Sequence, residues 1–109
     1  MNYLAKLKHN KFLFNDLKSK SLESEKEICG FVFDGKFVQR TNMHPDPVNH
    51  FLISPKECIW GEDVIVFHSH PRHVEEKGFS EWDLENQKFF YMDMLLYSVN
   101  EDEFYFKEK

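Results

Sequence analysis

The sequence has no long apolar run and no excess of basic residues, and each absence argues against a class of protein. No stretch approaches the roughly 18 apolar residues of a transmembrane helix, so we expect no membrane span. Asp and Glu outnumber Lys and Arg by 19 to 14, for a formal net charge of -5, which argues against a nucleic-acid-binding face. Residues 1–10 contain lysines and a histidine but no apolar stretch, so a secretory signal is not expected.

Several familiar catalytic patterns are missing as well. The sequence has no H-E-x-x-H helix of the common zinc proteases and no combination of H-x-E with P-C-x-x-C, as in the zinc deaminases. It also lacks the G-x-S-x-G nucleophile elbow and the P-loop. These absences argue against the usual serine-hydrolase, deaminase and phosphate-binding interpretations.

Cysteine is scarce. Cys29 and Cys58 lie far apart in the sequence, and no C-x-x-C pair occurs. A disulfide framework or a thiolate zinc site is therefore not expected. Such cysteines, in a chain without a secretory signal, are typical of a reducing compartment, so we expect a cytoplasmic protein. Both side chains are predicted to be small hydrophobic residues of the core.

What is present is enough apolar material for one folded core, since 41% of the 109 residues are apolar and 17% are aromatic. Compact domains are commonly of this length, so we predict a single domain over residues 1–109. The predicted elements follow the order helix, hairpin, strand, short helix, central strand, helix, hairpin. This order predicts an α/β fold in which helices flank one mixed β-sheet.

Hydrophobic periodicity and turn residues locate these elements along the chain. Asp34-Gly35 is the expected turn of the first hairpin, because glycine readily adopts the positive φ that this turn needs. Ser54 followed by Pro55 predicts the start of the short helix. Helices are predicted over about 10–21, 54–60 and 80–91, and strands over 28–33, 36–40, 51–53, 64–67, 94–99 and 103–107.

Residues suited to catalysis are concentrated where the predicted central strand ends, at His68-Ser69-His70-Pro71. Side chains two residues apart on a strand point to the same face, so His68 and His70 should project together. Two imidazoles placed in this way can bind one zinc ion. A His-x-His sequence at a strand end is also ordinary loop polarity, so the pair alone does not establish a metal site.

A catalytic zinc ion needs a third protein ligand and leaves its fourth position to water. The pattern Ser80-x-x-Asp83 is also that of a capping box, with Ser80 at the N-cap and Asp83 at the third helical residue. The two interpretations are compatible, because a carboxylate in the first turn of a helix is fixed in direction; Glu81 should then face solvent. The downstream candidates for the third ligand are His73, Glu75, Glu76, Glu81 and Asp83.

Hydrolysis also needs a group that takes a proton from water and gives one to the leaving amine. Glu27 is the best candidate, because it immediately precedes the first predicted strand rather than lying in a charged run on a helix. The alternative is that Glu25, Lys26 and Glu27 form a solvated linker.

In this order, Glu27, His68-Ser69-His70-Pro71 and Ser80-x-x-Asp83 resemble the signature of the JAMM (MPN+) zinc metallopeptidases: an upstream Glu, then H-[ST]-H-P and S-x-x-D. The strand that follows Glu27 is similar to the family's E-x-C-G strand, and the resemblance spans about residues 21–99. It implies the JAMM/MPN fold, which is cytidine-deaminase-like, and hydrolysis of a peptide or isopeptide bond.

Carried over to this sequence, the resemblance implies that His68, His70 and Asp83 bind one zinc ion per chain. Glu27 would be the general acid/base, and the Ser80 hydroxyl would stabilise the oxyanion. The connection from Pro71 to Ser80 is two residues longer than is usual in the family, which leaves His73 open as an alternative third ligand. The same connection offers as substrate contacts Arg72, His73, Glu75, Glu76 and Lys77.

The chain is similar in size to the compact prokaryotic and phage members of the family, without room for the insertions that hold two ubiquitins. This implies a protein or peptide substrate in the bacterial or phage-infected host cytoplasm. Phage tail assembly is the favoured setting, and processing of a ubiquitin-like sulfur carrier is an alternative. A non-catalytic MPN-type scaffold is the alternative from another class, and a cysteine protease built on Cys29 also remains open. A scaffold is disfavoured because the key positions are all filled.

Overall fold

The structure is a computed structural model that describes residues 2–109 of the chain. Within this range it forms one α/β domain with three α-helices, one 3-10 turn and a sheet of five strands. In chain order the elements are α1 (Tyr3–His9), α2 (Lys11–Leu22), β1 (Cys29–Phe33), β2 (Lys36–Arg40), the 3-10 turn (Pro55–Glu57), β3 (Ile65–His70), α3 (Glu81–Phe90), β4 (Asp93–Ser98) and β5 (Glu103–Lys107).

The sheet is mixed, with the strand order β2-β1-β3-β4-β5. β3 and β4 run parallel, and α3 connects them; every other neighbouring pair is antiparallel. β3 is central, and all six of its residues are buried, whereas the edge strands β2 and β5 are partly exposed. The predicted mixed sheet flanked by helices is therefore confirmed.

The side chains of the sheet alternate between two apolar layers, because successive residues of a strand point to opposite faces. On one face, α1 and α2 pack Leu7, Leu13 and Leu17 against the sheet. On the other face, α3 and the segment after β2 contribute Phe90 and Phe51. In β3, Ile65 and Phe67 belong to the first layer and Val66 belongs to the second. Met94 of β4 is also part of the second layer. His68 and His70 follow Val66 by two and four residues, so their side chains lie on the same face of the sheet as Val66, the face covered by α3.

Helix α1 was not predicted from the sequence. Its seven residues, Tyr3–His9, make only about two turns, which is too short for a clear helical period, and only Leu7 is fully buried. The helix is anchored at its N-terminal end: the Asn2 side chain accepts a hydrogen bond from the Ala5 amide, and the Tyr3 ring stacks on Phe106 at 4.7 Å between centroids. The prediction that begins the next helix at Asn10 is close, since Asn10 is the N-cap of α2.

Two predictions in the segment between β2 and β3 are wrong. Residues 51–53 alternate between buried and exposed as a strand would, but they pair with no strand. The Leu52 backbone bonds instead to Met43 and to the Asn42 side chain. The predicted helix 54–60 is a single 3-10 turn, Pro55–Glu57, and Ser54 makes no side-chain cap bond.

Other boundaries differ by small amounts. The predicted strand 64–67 continues as β3 to His70, so the two histidines lie within the ladder rather than beyond it. The first hairpin turn is as expected, with positive φ at both Asp34 (54°) and Gly35 (71°). Among the helices of residues 2–109, none combines the length and the hydropathy needed to cross a bilayer.

Candidate metal centre and active-site cleft

The two histidines lie at the C-terminal end of the central strand β3, on the face covered by α3. Pairing fixes both positions: His68 lies opposite Cys29 of β1 and Leu96 of β4, and His70 lies opposite Ser98. The exposed fractions of the two histidines are 0% and 2%. The sequence prediction that the two imidazoles project together is confirmed, and the surrounding ladder leaves them little freedom to separate.

Asp83 comes to the same place from the first turn of α3. Its backbone amide donates to Ser80 Oγ at 3.1 Å, and its Oδ2 accepts from the Ser80 amide at 2.8 Å, so the capping box is present. The same carboxylate lies 3.0 Å from the Nε2 atoms of both His68 and His70. Capping and a position beside the imidazoles are thus compatible, as the sequence suggested, and Glu81 is exposed as expected.

Glu27 completes the cluster from the turn before β1. Its side chain is 2% exposed, whereas Glu25 and Lys26 are exposed, so the solvated-linker interpretation is wrong for Glu27. Ligand atoms of Glu27, His68, His70 and Asp83 all lie within 4.8 Å of one another. The structure therefore brings together four of the five site residues that the sequence singled out, and the fifth, Ser80, is the N-cap beside them.

Four buried polar atoms in this cluster have no hydrogen-bonding partner within residues 2–109: Glu27 Oε1, His68 Nδ1, His68 Nε2 and His70 Nδ1. His68 Nε2 is notable because Asp83 Oδ1 is only 3.0 Å away, yet the two atoms are not aligned for a hydrogen bond. A buried unsatisfied polar group costs about 1–3 kcal/mol, so such atoms call for an explanation. Around a tetrahedral zinc ion with bonds of about 2.0–2.1 Å, ligand atoms lie about 3.3 Å apart. The 3.0 Å distances from the Asp83 oxygens to His68 Nε2 and His70 Nε2 are close to that value.

The protonation states suit a metal site. Complete burial lowers the pKa of His68, so its imidazole is neutral near pH 7 and a nitrogen lone pair is available. Burial opposes the ionisation of Asp83, but the neighbouring His68 and His70 hold its pKa well below the usual range. Neutral imidazoles and an ionised carboxylate are the forms that bind zinc. The cluster could therefore hold a metal ion, and two imidazoles with one carboxylate are a donor set that zinc accepts readily.

Glu27 behaves differently from Asp83. Burial, together with the charges of Asp83 and Asp46, raises the pKa of Glu27 to about 9. In the metal-free protein this carboxyl group is therefore protonated at neutral pH. A divalent cation beside it would favour the carboxylate, because an opposite charge within a few ångströms lowers the pKa of an acid.

An apolar wall supports the imidazoles. The Phe51 ring stacks on His68 at 4.6 Å between centroids and 19° between planes, and it is completely buried. The Phe79 ring lies 6.4 Å from His68 and also lines the cleft. The buried Phe51 ring therefore covers one side of His68, and access to the cluster is from the cleft.

The cleft is an open cavity of about 890 Å³ beside the cluster. Glu27, His70 and Ser80 all line it, so the acid, one imidazole and the serine are accessible from the same side. Of the residues expected as substrate contacts, three line the cleft, whereas Arg72 and Lys77 are exposed elsewhere. The three that line it are His73, Glu75 and Glu76.

The other sequence candidates are not brought into the metal cluster. His73 is exposed and bonds to Asn49 Oδ1 at 3.2 Å, outside the four-residue group, so the alternative with His73 as third ligand has no support. Cys29 is buried, and burial raises its pKa to about 12, which argues against a thiolate nucleophile. Cys58 is half-buried and packs against the second apolar layer, so the predicted core position is confirmed in full only for Cys29.

The sequence did not reveal three residues of the segment 42–52 that contact the cluster and its supporting helix: Asn42, Pro47 and His50. The Asn42 side chain bonds to the Glu27 carbonyl oxygen, and Pro47 O accepts from the Glu27 amide. His50 lies against the α3 residue Trp82 at 5.0 Å between ring centroids. No spacing rule relates these positions to Glu27 or α3, because the contacts are made by irregular backbone.

Comparisons with family models, curated proteins and solved structures found no match to this chain.

Proposed function

We propose that this protein is a zinc-dependent metallopeptidase of the JAMM/MPN type, which hydrolyses a peptide or isopeptide bond of a protein substrate. The observation that carries the proposal is the buried cluster of Glu27, His68, His70 and Asp83, which is accessible from an open cleft. Structural polar clusters usually satisfy their own hydrogen bonds, but this one leaves four buried atoms unpartnered. A complete donor set also argues against a purely scaffolding role.

In this proposal His68, His70 and Asp83 hold one zinc ion. When bound, zinc would act as a Lewis acid on the scissile carbonyl group and make water a better nucleophile. The protein holds these ligands rigidly: β3 fixes the imidazoles by strand pairing, and the capping box fixes the carboxylate. Preorganised ligands need little rearrangement during the reaction.

Glu27 would move the proton. Its Oε1 atom is unpartnered, and the residue lines the cleft, so it can face both a water molecule and the leaving group. As a carboxylate it would accept a proton from the attacking water, and as an acid it would return that proton to the leaving amine. The raised pKa of its metal-free form fits a group that must carry a proton for part of the cycle.

Ser80 would stabilise negative charge on the substrate oxygen. Its Oγ atom accepts a hydrogen bond from the Asp83 amide at 3.1 Å, so the hydroxyl hydrogen is free to donate. The residue is half-buried and lines the cleft, where a substrate carbonyl could accept that bond. A donor aimed at developing charge is among the strongest contributions to acyl transfer.

The proposed setting is phage tail assembly in the bacterial or phage-infected host cytoplasm, with the processing of a ubiquitin-like protein as the alternative. The resemblance to compact prokaryotic and phage members is its only support. The open cleft is consistent with a protein segment as substrate, because an enclosed cavity would admit only a small molecule.

The test combines metal analysis with an unbiased cleavage assay. Purified protein is loaded with zinc, its bound metal is counted, and new termini in a proteome-derived peptide library and in isopeptide-linked peptides are identified by mass spectrometry. We expect one zinc ion per chain, cleavage that EDTA abolishes, and no cleavage by E27Q with zinc retained. Cleavage that survives complete removal of the metal, or no cleavage of any linkage by zinc-loaded protein, would contradict the proposal.

A further inference from the structure

Residues 42–52 form an irregular segment that touches each part of the candidate site. Phe51 stacks on His68, and His50 packs against Trp82 of α3. The Pro47 carbonyl oxygen accepts a hydrogen bond from the Glu27 amide at 2.8 Å. The segment therefore contacts the strand, the helix and Glu27, and its only hydrogen bonds among these examples go to Glu27.

The Asn42 side chain is the centre of this segment. Its Nδ2 atom donates to the carbonyl oxygens of Glu27 and His50, both at 2.9 Å, and lies 3.4 Å from that of Pro47. Its Oδ1 atom accepts from the amides of His44 and Leu52, both at 3.1 Å. One side-chain amide has two donor hydrogens and two acceptor lone pairs, so Asn42 uses its full capacity.

Glu27 depends on these bonds because it lies outside the sheet. Strand β1 begins at Cys29, so no ladder partner fixes the Glu27 backbone. Its amide is held by Pro47 O and its carbonyl oxygen by Asn42 Nδ2. Both bonds come from the same segment, and Asn42 joins the two ends of that segment to each other.

We propose that Asn42 is a positioning residue that sets the placement of the Glu27 carboxyl group beside the metal ligands. This inference rests on the proposed peptidase function for its catalytic consequence. Asn42 makes no hydrogen bond to a metal ligand, and the ligands are held by other structure: His68 and His70 by β3, and Asp83 by the capping box. Its loss should therefore separate turnover from metal binding.

Gln87 provides a matched control. Its side-chain amide also bridges two backbone carbonyl oxygens, those of Met92 at 3.2 Å and Lys107 at 2.9 Å, and it is buried. Met92 lies between α3 and β4, Lys107 ends β5, and neither bonds to Glu27. Q87A should therefore weaken the fold without displacing Glu27.

The experiment compares N42A, N42D and Q87A with the wild-type protein, all zinc-loaded, on the peptide cut fastest in the library. For N42A we expect one zinc ion per chain, little change in KM and a kcat lowered on the order of 10- to 100-fold. N42D retains an acceptor for His44 and Leu52 but cannot donate to Glu27, so we expect its kcat to fall as far as that of N42A. Q87A should keep kcat near the wild-type value.

A second measurement does not depend on turnover. Amide hydrogen exchange should become at least about tenfold faster at Glu27 in N42A while Val66 of β3 is unchanged, because only local opening is affected. N42S, which keeps a hydroxyl group, replaces N42A if that variant does not fold. Wild-type kcat and wild-type exchange at Glu27 in N42A and N42D would overturn the inference, and so would an equal loss of kcat in Q87A.

The outcomes distinguish the inference from the proposed function. If E27Q loses turnover and N42A and N42D do not, the peptidase proposal stands and the positioning role of Asn42 is wrong. If no linkage is cut by any form, the peptidase proposal fails, and the exchange rate at Glu27 still decides whether Asn42 holds that residue in place.

Discussion

The candidate site has two halves that are held by different kinds of structure. The ligand half, His68, His70 and Asp83, lies on a central strand and in the capped first turn of a helix. The proton-transfer half, Glu27, lies in a turn whose backbone is held by the irregular segment 42–52. The ligand half is held by hydrogen bonds within regular elements, whereas Glu27 is held by a few long-range bonds.

This difference predicts that the two functions can be separated by mutation. Changes in the ligand half should remove the metal and with it all activity. Changes around Glu27 should leave the metal in place and affect only proton transfer, because strand pairing and the capping box, rather than hydrogen bonds from the segment that holds Glu27, fix the ligands. The following predictions test this division, beginning with the largest effect.

The largest effect is expected for H68A. Removing one of two imidazoles leaves a site that lacks the donor set of a catalytic zinc centre, so both stoichiometric zinc and turnover should be lost. H73A is the control, since His73 is exposed and outside the cluster. The zinc content per chain of both variants is measured after gel filtration. Zinc retained in H68A, or lost in H73A, would assign the ligands differently.

For E27Q we expect zinc to remain at one per chain and kcat to fall by about 10²–10⁴-fold. This is the usual contribution of a positioned general acid/base, and glutamine has a similar shape but cannot carry the proton. Steady-state kinetics on the library-derived peptide measures the loss. A variant that loses zinc together with activity would show that Glu27 belongs to the ligand half.

The pH dependence of stability gives a third, smaller effect in the metal-free protein. Folding raises the Glu27 pKa from 4.5 to about 9, so the folded state binds this proton more tightly than the unfolded state. The resulting stability is fully present below about pH 4.5 and is lost as the pH rises towards 9. The slope can approach about 1.4 kcal/mol per pH unit.

Urea unfolding with EDTA between pH 5 and pH 8 measures this contribution as the difference between the wild-type protein and E27Q. The stability of E27Q should increase relative to that of the wild type as the pH rises, because every other titrating group is common to both. Parallel pH profiles would contradict the raised pKa.

The smallest effect concerns the bond that connects the two halves. Ser69 Oγ, within β3, accepts a hydrogen bond from the Ile28 amide at 3.0 Å in a buried position. S69A leaves that amide without a partner, so we expect a loss of about 1–3 kcal/mol in the free energy of unfolding while zinc is retained. S19A is the control, since its hydroxyl bond to Asp16 is exposed and should contribute less than about 0.5 kcal/mol. Equal free energies of unfolding for S69A and S19A would show that the bond between Ser69 and Ile28 does not stabilise the fold.

The sequence predicted well where His68, His70 and Asp83 lie, and the reasons are local. Strand periodicity places His68 and His70 on one face, and the spacing from Ser80 to Asp83 is a helix-start pattern. Both are short-range rules that the surrounding fold cannot easily override. The mixed sheet was predictable for the same reason, since its hairpins and central strand have clear local signals.

What holds Glu27 in place could not be predicted in this way. Its bonds to Pro47 and Asn42 join positions that no helical or strand period relates, and the apolar pattern of 51–53 suggested a strand that does not form. Helix α1 was missed because its seven residues are too few for a clear helical period, and it is held in part by the contact of Tyr3 with the distant Phe106. In each case contacts with distant residues, rather than local preference, decide the conformation.

X-ray absorption spectroscopy at the zinc edge of the zinc-loaded protein tests most directly whether the cluster is a metal centre. The account predicts one zinc ion per chain in a shell of nitrogen and oxygen donors at about 2.0–2.1 Å, with the scattering of two imidazole rings. That pattern should disappear in H68A and persist in E27Q. A sulfur ligand near 2.3 Å, which would implicate Cys29 or Cys58, or a protein that retains no zinc, would contradict it.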